Sequence, residues 1–365
     1  MKQTRKTTRL VTLLLDWFAA NARDLPWRRT HDPYAVWVSE IMLQQTQVKT
    51  VIPFWNRWMM ELPTIADAAT VSSDKLHKLW EGLGYYTRVR NLQKAAQSIV
   101  ANHSGKFPEN FDDVLALTGI GRYTAGAICS IAFNQPTPIL DGNVIRVLTR
   151  IFGIAENPKE KKTNAHLWQL AEELVQNSKL NTKNSKFSCS HLNQSLMELG
   201  ALICTPRSPQ CLLCPVQKLC VAFKEGRTEE LPNLGKRETA TARHFAAFVI
   251  EHEGRFLVRQ RPGKVVNAHL WEFPNVETNG NKMDVAVMFK TEFGLSAPKL
   301  AKLCTLKHSI TRYRITVQAY HIRLDTKQMD GHGVWKTPAQ MDKLAFTAAH
   351  KKLASAAAKS ILSDR

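Results

Sequence analysis

The chain runs to 365 residues and carries 50 Lys plus Arg against 31 Asp plus Glu, a formal net charge of +19. That length calls for two or three domains, each able to bury its own core, and a positive balance of that size points to a polyanionic partner, nucleic acid foremost. No run approaches the ~20 apolar residues of a membrane span, and three cysteines standing apart from the rest (Cys129, Cys189, Cys304) argue against a disulfide framework.

The chain opens like a leader: Lys2, Arg5, Lys6 and Arg9 precede Leu10 to Leu15, and Ala20-Asn21-Ala22 has the small residues of a cleavage site. Asp16 cuts the run short, however, and Leu10, Leu13, Leu14, Trp17 and Phe18 recur at helical spacing, so an amphipathic first helix is expected. Asp32-Pro33, a cap followed by a first-turn proline, opens a helix expected to run through Val48. Glu40 falls inside it among Trp37, Val38, Ile41, Met42 and Leu43. Facing solvent it would be an ordinary surface carboxylate; buried, its pKa would climb from ~4.3 towards ~6–7 and suit a general acid.

Turns at Leu62-Pro63, Gly82-Leu83-Gly84 and Phe107-Pro108 separate further helices. Leu117-Thr118-Gly119-Ile120-Gly121 lies between helical segments 111–116 and 123–133. Gly119 and Gly121 allow a tight hairpin whose outward N–H groups, with the dipole of the next helix, bind a DNA phosphate: a helix-hairpin-helix. In Ile139-Leu140-Asp141-Gly142-Asn143-Val144, Asp141 suits the N-cap of a helix over 144–151. There the helix N–H groups would hold its carboxylate ionised, ready to stabilise a positive charge. Residues 177–190 are polar and Lys-rich, as in a surface loop.

Four cysteines follow as Cys204-x6-Cys211-x2-Cys214-x5-Cys220. Four thiolates on so short a loop converge on one metal centre, either tetrahedral zinc or a four-iron cluster. Residues 224–242 then lose periodicity and read as a linker, and beyond them the period turns from helical to alternating. The segments 245–250 and 256–258 flank His252-Glu253-Gly254-Arg255 as a hairpin, 314–324 is a long strand, and 345–362 a closing helix. The fold class is thus an all-α region followed by a smaller α+β module.

In this order, Ser39-Glu40-Ile41-Met42-Leu43-Gln44-Gln45-Thr46-Gln47-Val48, Gly82-Leu83-Gly84-Tyr85-Tyr86, Leu117 to Gly121, Leu140-Asp141-Gly142-Asn143 and the cysteine run resemble a MutY-type adenine DNA glycosylase of the helix-hairpin-helix superfamily. The resemblance implies that Glu40 protonates adenine and that Asp141 stabilises the oxocarbenium-like sugar. It implies that Tyr123 and Asn143 line the adenine pocket, and that Gln45, Leu83 and Tyr85 probe the helix around the opposite base. It implies a [4Fe–4S] cluster on Cys204, Cys211, Cys214 and Cys220, with Arg207 on a phosphate. Endonuclease III-type relatives place a lysine where Tyr123 stands, so a monofunctional, hydrolytic enzyme is expected.

The C-terminal part, with Gln260-Arg261-Pro262 and Leu270-Trp271-Glu272-Phe273-Pro274, resembles a Nudix-like module, which in MutY enzymes checks for 8-oxoguanine. The carboxylates of an active Nudix helix are mostly absent from Val287-Met288-Phe289-Lys290-Thr291-Glu292, so nucleotide hydrolysis is not expected. The family's Phe-Ser-His loop falls on Ile310-Thr311-Arg312, giving Thr311, or alternatively Ser309, as the contact to 8-oxoguanine.

The expected domains are a catalytic region over 1–223, a linker over 224–242 and a Nudix-like 8-oxoguanine recognition domain over 243–365. Within the first, a helix-hairpin-helix subdomain covers about 30–134 and a cluster subdomain combines 1–29 with 135–223. The expected activity is hydrolysis of adenine paired with 8-oxoguanine or guanine in double-stranded DNA, by a monomer of the bacterial cytoplasm associated with the nucleoid. The alternatives are an endonuclease III-like glycosylase and lyase on damaged pyrimidines, or a non-catalytic DNA-binding protein.

Overall fold

The computed structural model describes residues 2–180, 187–235, 239–278, 284–297, 299–310, 312–327, 329 and 331–363. Its helices are α1 (Lys2–Asn21), α2 (Pro33–Leu43), α3 (Val48–Glu61), α4 (Ile65–Thr70), α5 (Ser73–Trp80), α6 (Thr87–Asn102), α7 (Phe111–Ala116), α8 (Arg122–Phe133), α9 (Gly142–Phe152), α10 (Lys161–Leu180), α11 (Ser188–Leu202), α12 (Val221–Lys224), α13 (Val285–Phe293), α14 (Pro338–Met341) and α15 (Ala348–Ser363). The strands are β1 (Thr241–His252), β2 (Arg255–Gln260), β3 (Trp271–Glu272), β4 (Asn275–Thr278), β5 (Ala301–Ile310), β6 (Tyr313–Arg323) and β7 (Val334–Lys336). They gather into two compact units: Met1–Thr70 with Arg90–Arg237, and Val71–Val89 with Glu238–Arg365.

The first unit is helical. Its α2 is buried from Tyr34 to Met42, which is why the segment reads as apolar all round. The polar atoms there are paired: Trp55 Nε1 donates to Ala35 O at 3.1 Å, Trp58 Nε1 to the Tyr34 hydroxyl at 2.9 Å, and that hydroxyl to Leu62 O at 2.8 Å. Asp32 caps α2 as expected, accepting from Tyr34 N at 3.0 Å. The helix stops at Leu43, however, and does not reach Val48. Gln45 takes a left-handed φ of 55° and Gln47 becomes the N-cap position of α3. The glutamines are good helix formers, so propensity could not mark this turn. The expected loop over 177–190 is shorter at both ends, because α10 continues to Leu180 and α11 starts at Ser188, with Ser188, Cys189 and Ser190 buried.

The second unit holds a seven-stranded sheet in the order β3-β2-β1-β6-β5, with β4 also on β1 and β7 on β2. β1 and β2 form the expected hairpin with His252 opposite Arg255, its two turn residues Glu253 and Gly254 at φ 47° and 72°. β1 and β6 run parallel and β5 and β6 antiparallel, so the β5–β6 turn lies beside Thr241, whose N–H donates to Arg312 O at 2.9 Å. Along β1, Ala247 and Val249 enter one core with Leu353 and Ala357 of α15, while Ala246, Phe248 and Ile250 enter another with Met288 and Phe289 of α13. Burial on both faces explains the unbroken apolar run from Phe245 to Ile250. Among the described residues no helix is long and apolar enough to cross a membrane.

Candidate active site

Three elements of the first unit converge on one cavity of about 560 Å³. The buried α2 brings Glu40, the first turn of α8 brings Tyr123, and the N-terminus of α9 brings Asp141 and Asn143; Gln45, in the turn after α2, lines the same cavity. Glu40 is only 5% exposed, which decides between its two readings in favour of burial. Tyr123 donates its hydroxyl hydrogen to Glu40 Oε2 at 2.8 Å and has Met197 Sδ at 3.3 Å as a second acceptor. Burial raises Glu40 to about 7 against the pull of the Tyr123 hydrogen bond; the charge of Asp141 adds to the rise and Arg28 opposes it.

Asp141 Oδ1 accepts from Val144 N at 2.7 Å as the N-cap of α9, and its Oδ2 accepts from Asn143 Nδ2 at 3.0 Å. Burial nonetheless lifts its carboxyl above the ordinary value, more than Val144 N–H, the Asn143 amide and Arg146 pull it back. The cavity thus holds an acid poised near neutral pH next to a second carboxyl in a different environment, the division of labour that acid–base chemistry at a sugar requires.

The cavity wall contains groups that sequence reasoning missed. Glu198 of α11 is 1% exposed and accepts from Arg23 N, Nε and Nη2 at 3.0, 2.7 and 2.7 Å, and from Arg28 Nη1 and Nη2 at 3.1 and 2.9 Å. Burial pushes Glu198 up, but the hydrogen bonds from Arg23 and Arg28 outweigh it and hold the group at about 2. Buried and satisfied by five donors, Glu198 fixes Arg23 and Arg28 in the cavity wall. The signal was present: Glu198 interrupts Leu196-Met197-Leu199 as Glu40 interrupts its own apolar run.

From α9, Arg146 and Arg150 turn towards the cysteine loop. Arg146 Nη2 donates to Asn143 Oδ1 at 2.7 Å and its Nε to Cys204 O at 2.7 Å, so the side chain spans from the Asp141 partner to the first cysteine. Arg150 Nη1 lies 3.4 Å from Cys204 Sγ and donates to Thr205 O at 2.7 Å. Cys204, Cys211, Cys214 and Cys220 line a single small cavity and take part in no disulfide. No three metal-ligating side chains among the described residues are gathered around one ion. Four thiols converging on one cavity are the donor set that an iron–sulfur cluster takes.

Other expected site residues stand apart from the cavity. Gly119, at φ 83°, and Gly121, the N-cap of α8, form the α7–α8 hairpin; a Cβ on Gly119 would meet Asn91 Cβ at 2.6 Å. Arg207 is exposed within the cysteine loop. Leu83 and Tyr85 belong to the second unit, Leu83 buried and Tyr85 exposed. Ser309 is exposed near the end of β5, and Thr311 lies outside the described residues. Glu292, the carboxylate left on the Nudix-like helix, pairs with Arg259 at 3.2 Å, and Arg261 and Arg259 both pair with buried Glu272.

Residues 38–173 match the HhH-GPD superfamily of base excision DNA repair proteins, 204–220 the iron–sulfur binding domain of endonuclease III, and 246–356 the NUDIX domain. The chain carries a [4Fe–4S] site accordingly, with those four cysteines as its available donors. An adenine DNA glycosylase of Rattus norvegicus is 37% identical over 86% of this chain and 70% of its own length. One of Buchnera aphidicola (from Acyrthosiphon pisum) is 36% identical over 86% of both. A thermostable thymine-DNA glycosylase superposes with a TM-score of 0.55 at 28% identity, over 62% of this chain and all of its own. A helix-hairpin-helix region with a cysteine loop, a cavity holding two carboxyls and likeness to these relatives over most of the chain lead to one statement: the chain belongs to the adenine DNA glycosylase family, enzymes that cleave N-glycosyl bonds.

Proposed function

We propose that this protein removes adenine paired with 8-oxoguanine or guanine from duplex DNA, by hydrolysis and without cutting the backbone. One observation carries the reading: Glu40, buried and held at about 7 beneath the Tyr123 hydroxyl, shares its cavity with Asp141. A base inside a duplex is out of reach, so adenine is first extruded into the cavity. Glu40 gives its proton to adenine N7, the base leaves with the C1′–N9 electron pair, and Asp141 stabilises the positive charge left on the sugar. Water adds to C1′ and loses a proton to Glu40, restoring the acid.

The chain's other groups have supporting parts in this reading. Asn143 and Tyr123 hold the two carboxyls, and Glu198 holds Arg28 in the cavity wall. Among the described residues lining the cavity none is a lysine, which favours hydrolysis over attack by an amine. Gly119, Gly121 and Arg207 grip phosphates, and Gln45, Leu83 and Tyr85 probe the helix around the opposite base. Residues 243–365 recognise 8-oxoguanine through Thr311 or Ser309. The net charge of +19 supports association with nucleoid DNA in a bacterial cytoplasm.

A single-turnover assay on duplexes with A:8-oxoguanine, A:G or an oxidised pyrimidine, read with and without alkali, tests the proposal. Adenine release with strand scission only after alkali is expected. Scission of the pyrimidine duplex without alkali would overturn it in favour of a lyase.

A further inference from the structure

Residues Val71–Val89 belong to the second compact unit, although the chain on both sides of them belongs to the first. Their attachment centres on Glu81, 8% exposed, between α5 and the loop Gly82-Leu83-Gly84-Tyr85-Tyr86. Its Oε2 accepts from Lys78 Nζ at 2.8 Å and Lys351 Nζ at 2.5 Å, and its Oε1 accepts from Phe346 N at 3.0 Å. Lys78 Nζ also donates to Leu344 O at 3.0 Å. Burial pushes the Glu81 carboxyl up, but the hydrogen bonds from Lys351, Lys78 and Phe346 more than reverse this and hold it below the ordinary range. A buried carboxylate with three donors makes a fixed joint, unlike an exposed ion pair whose partners exchange with water.

The loop that follows is built to keep one conformation. Gly82, Gly84 and Tyr85 have φ of 114°, 71° and 47°, and a left-handed tyrosine persists only where its surroundings enforce it. Arg88 Nη2 donates to Leu83 O at 2.9 Å and Gly84 O at 3.1 Å, and Trp80 Nε1 donates to Gly84 O at 3.1 Å. The Arg88 guanidinium also faces the rings of Trp80 and Tyr85 at 5.3 and 5.6 Å. The result is an outward tyrosine, 42% exposed, mounted one turn beyond the Glu81 joint.

We propose that Glu81 is a positioning residue that fastens the Leu83–Tyr85 loop to residues 344–351, so that the loop probing the helix is carried by the same unit as the β5–β6 hairpin. The inference rests on the proposed excision of adenine opposite 8-oxoguanine. Engagement of the oxidised base by the hairpin and entry of Tyr85 into the duplex then form one event, and the opposite base governs how readily adenine is presented. Glu40 and its cavity take no part in the joint.

Glu81→Gln keeps the side-chain shape and removes the charge. Lys351→Met removes a partner whose side chain is 55% exposed, a change the fold should tolerate. Single-turnover adenine release is measured on A:8-oxoguanine and A:G duplexes across pH. The ratio of the two rates is expected to fall by roughly five- to tenfold in each variant, the low end of couplings between sites. The double variant should fall no further than either single one, and the pH midpoint should stay where the wild type has it. An unchanged ratio, read on Lys351→Met alone if Glu81→Gln does not fold, overturns the proposal whatever happens to the melting temperature. A wild-type protein that released adenine from neither duplex would overturn the underlying function and this inference with it.

Discussion

Tyr123→Phe removes one oxygen from the cavity and leaves the ring in place. That oxygen donates to Glu40 Oε2 at 2.8 Å, the largest influence opposing burial at Glu40. A hydrogen bond to a charged group contributes ~1.5–3 kcal/mol, and ~1.4 kcal/mol corresponds to one pKa unit. Without it, Glu40 should rise from about 7 by ~1–2 units. An acid catalyst works only while protonated, so adenine release should fall as pH rises through that value. Single-turnover rates between pH 5.5 and 10 should therefore show an alkaline midpoint near neutrality in the wild type and ~1–2 units higher in the variant. The plateau should also drop, because the acid loses its orienting partner, but the midpoint carries the test. A midpoint at or below the wild-type value refutes the account of Glu40.

Glu40→Gln should abolish excision while duplex binding, measured by fluorescence anisotropy, stays near wild type. Because the folded value of Glu40 lies above the ordinary 4.5, its contribution to stability is full below pH 4.5 and declines by up to ~3 kcal/mol as pH rises through about 7; melting curves of Glu40→Gln should lack that decline. Arg146→Met should slow adenine release by roughly ten- to a hundredfold, the usual cost of losing an outer-shell support, with iron content and visible absorbance retained. Gly126→Ala should lower the melting temperature sharply, since its Cβ would stand 2.1 Å from Pro138 O, an overpacking that costs more than ~2 kcal/mol. Thr311→Ala and Ser309→Ala, compared on A:8-oxoguanine and A:G duplexes, should separate the two candidate contacts: the one that erodes the preference touches the oxidised base.

The parts of the fold that sequence made legible were those written in local chemistry. Asp32 and Asp141 announced their helices because a capping carboxylate is a local device, and Glu253-Gly254 announced its hairpin because a two-residue turn needs φ above zero. The turn at 44–47 was not legible, since glutamines favour the helix they interrupt. The site divided along the same line. Glu40 stood out as a charge in an apolar run, yet only tertiary packing decides that it is buried and that Tyr123 reaches it from 83 positions away. Glu198 carried the same mark and went unread, because its arginine partners lie 170 and 175 positions earlier. The role of residues 71–89 in the second unit has no local signature at all, because it depends on Lys351 and Phe346, far along the chain.

The pair of arginines on α9 bears on how the protein is assembled. Arg146 and Arg150 are 9% and 2% exposed, so two guanidinium charges are buried against the cysteine loop. Burial pushes the Cys214 thiol up to about 12 and raises Cys211 and Cys220 as well, so before iron arrives the loop offers those cations little negative charge. Loading iron exchanges protons for metal on the sulfurs, and the loop becomes a counterion at the same moment. Arg146 also braces Asn143, and through it Asp141. One arginine thus ties the backbone of the first cysteine to the amide that holds the Asp141 carboxyl, so the loop and the cavity share a single brace.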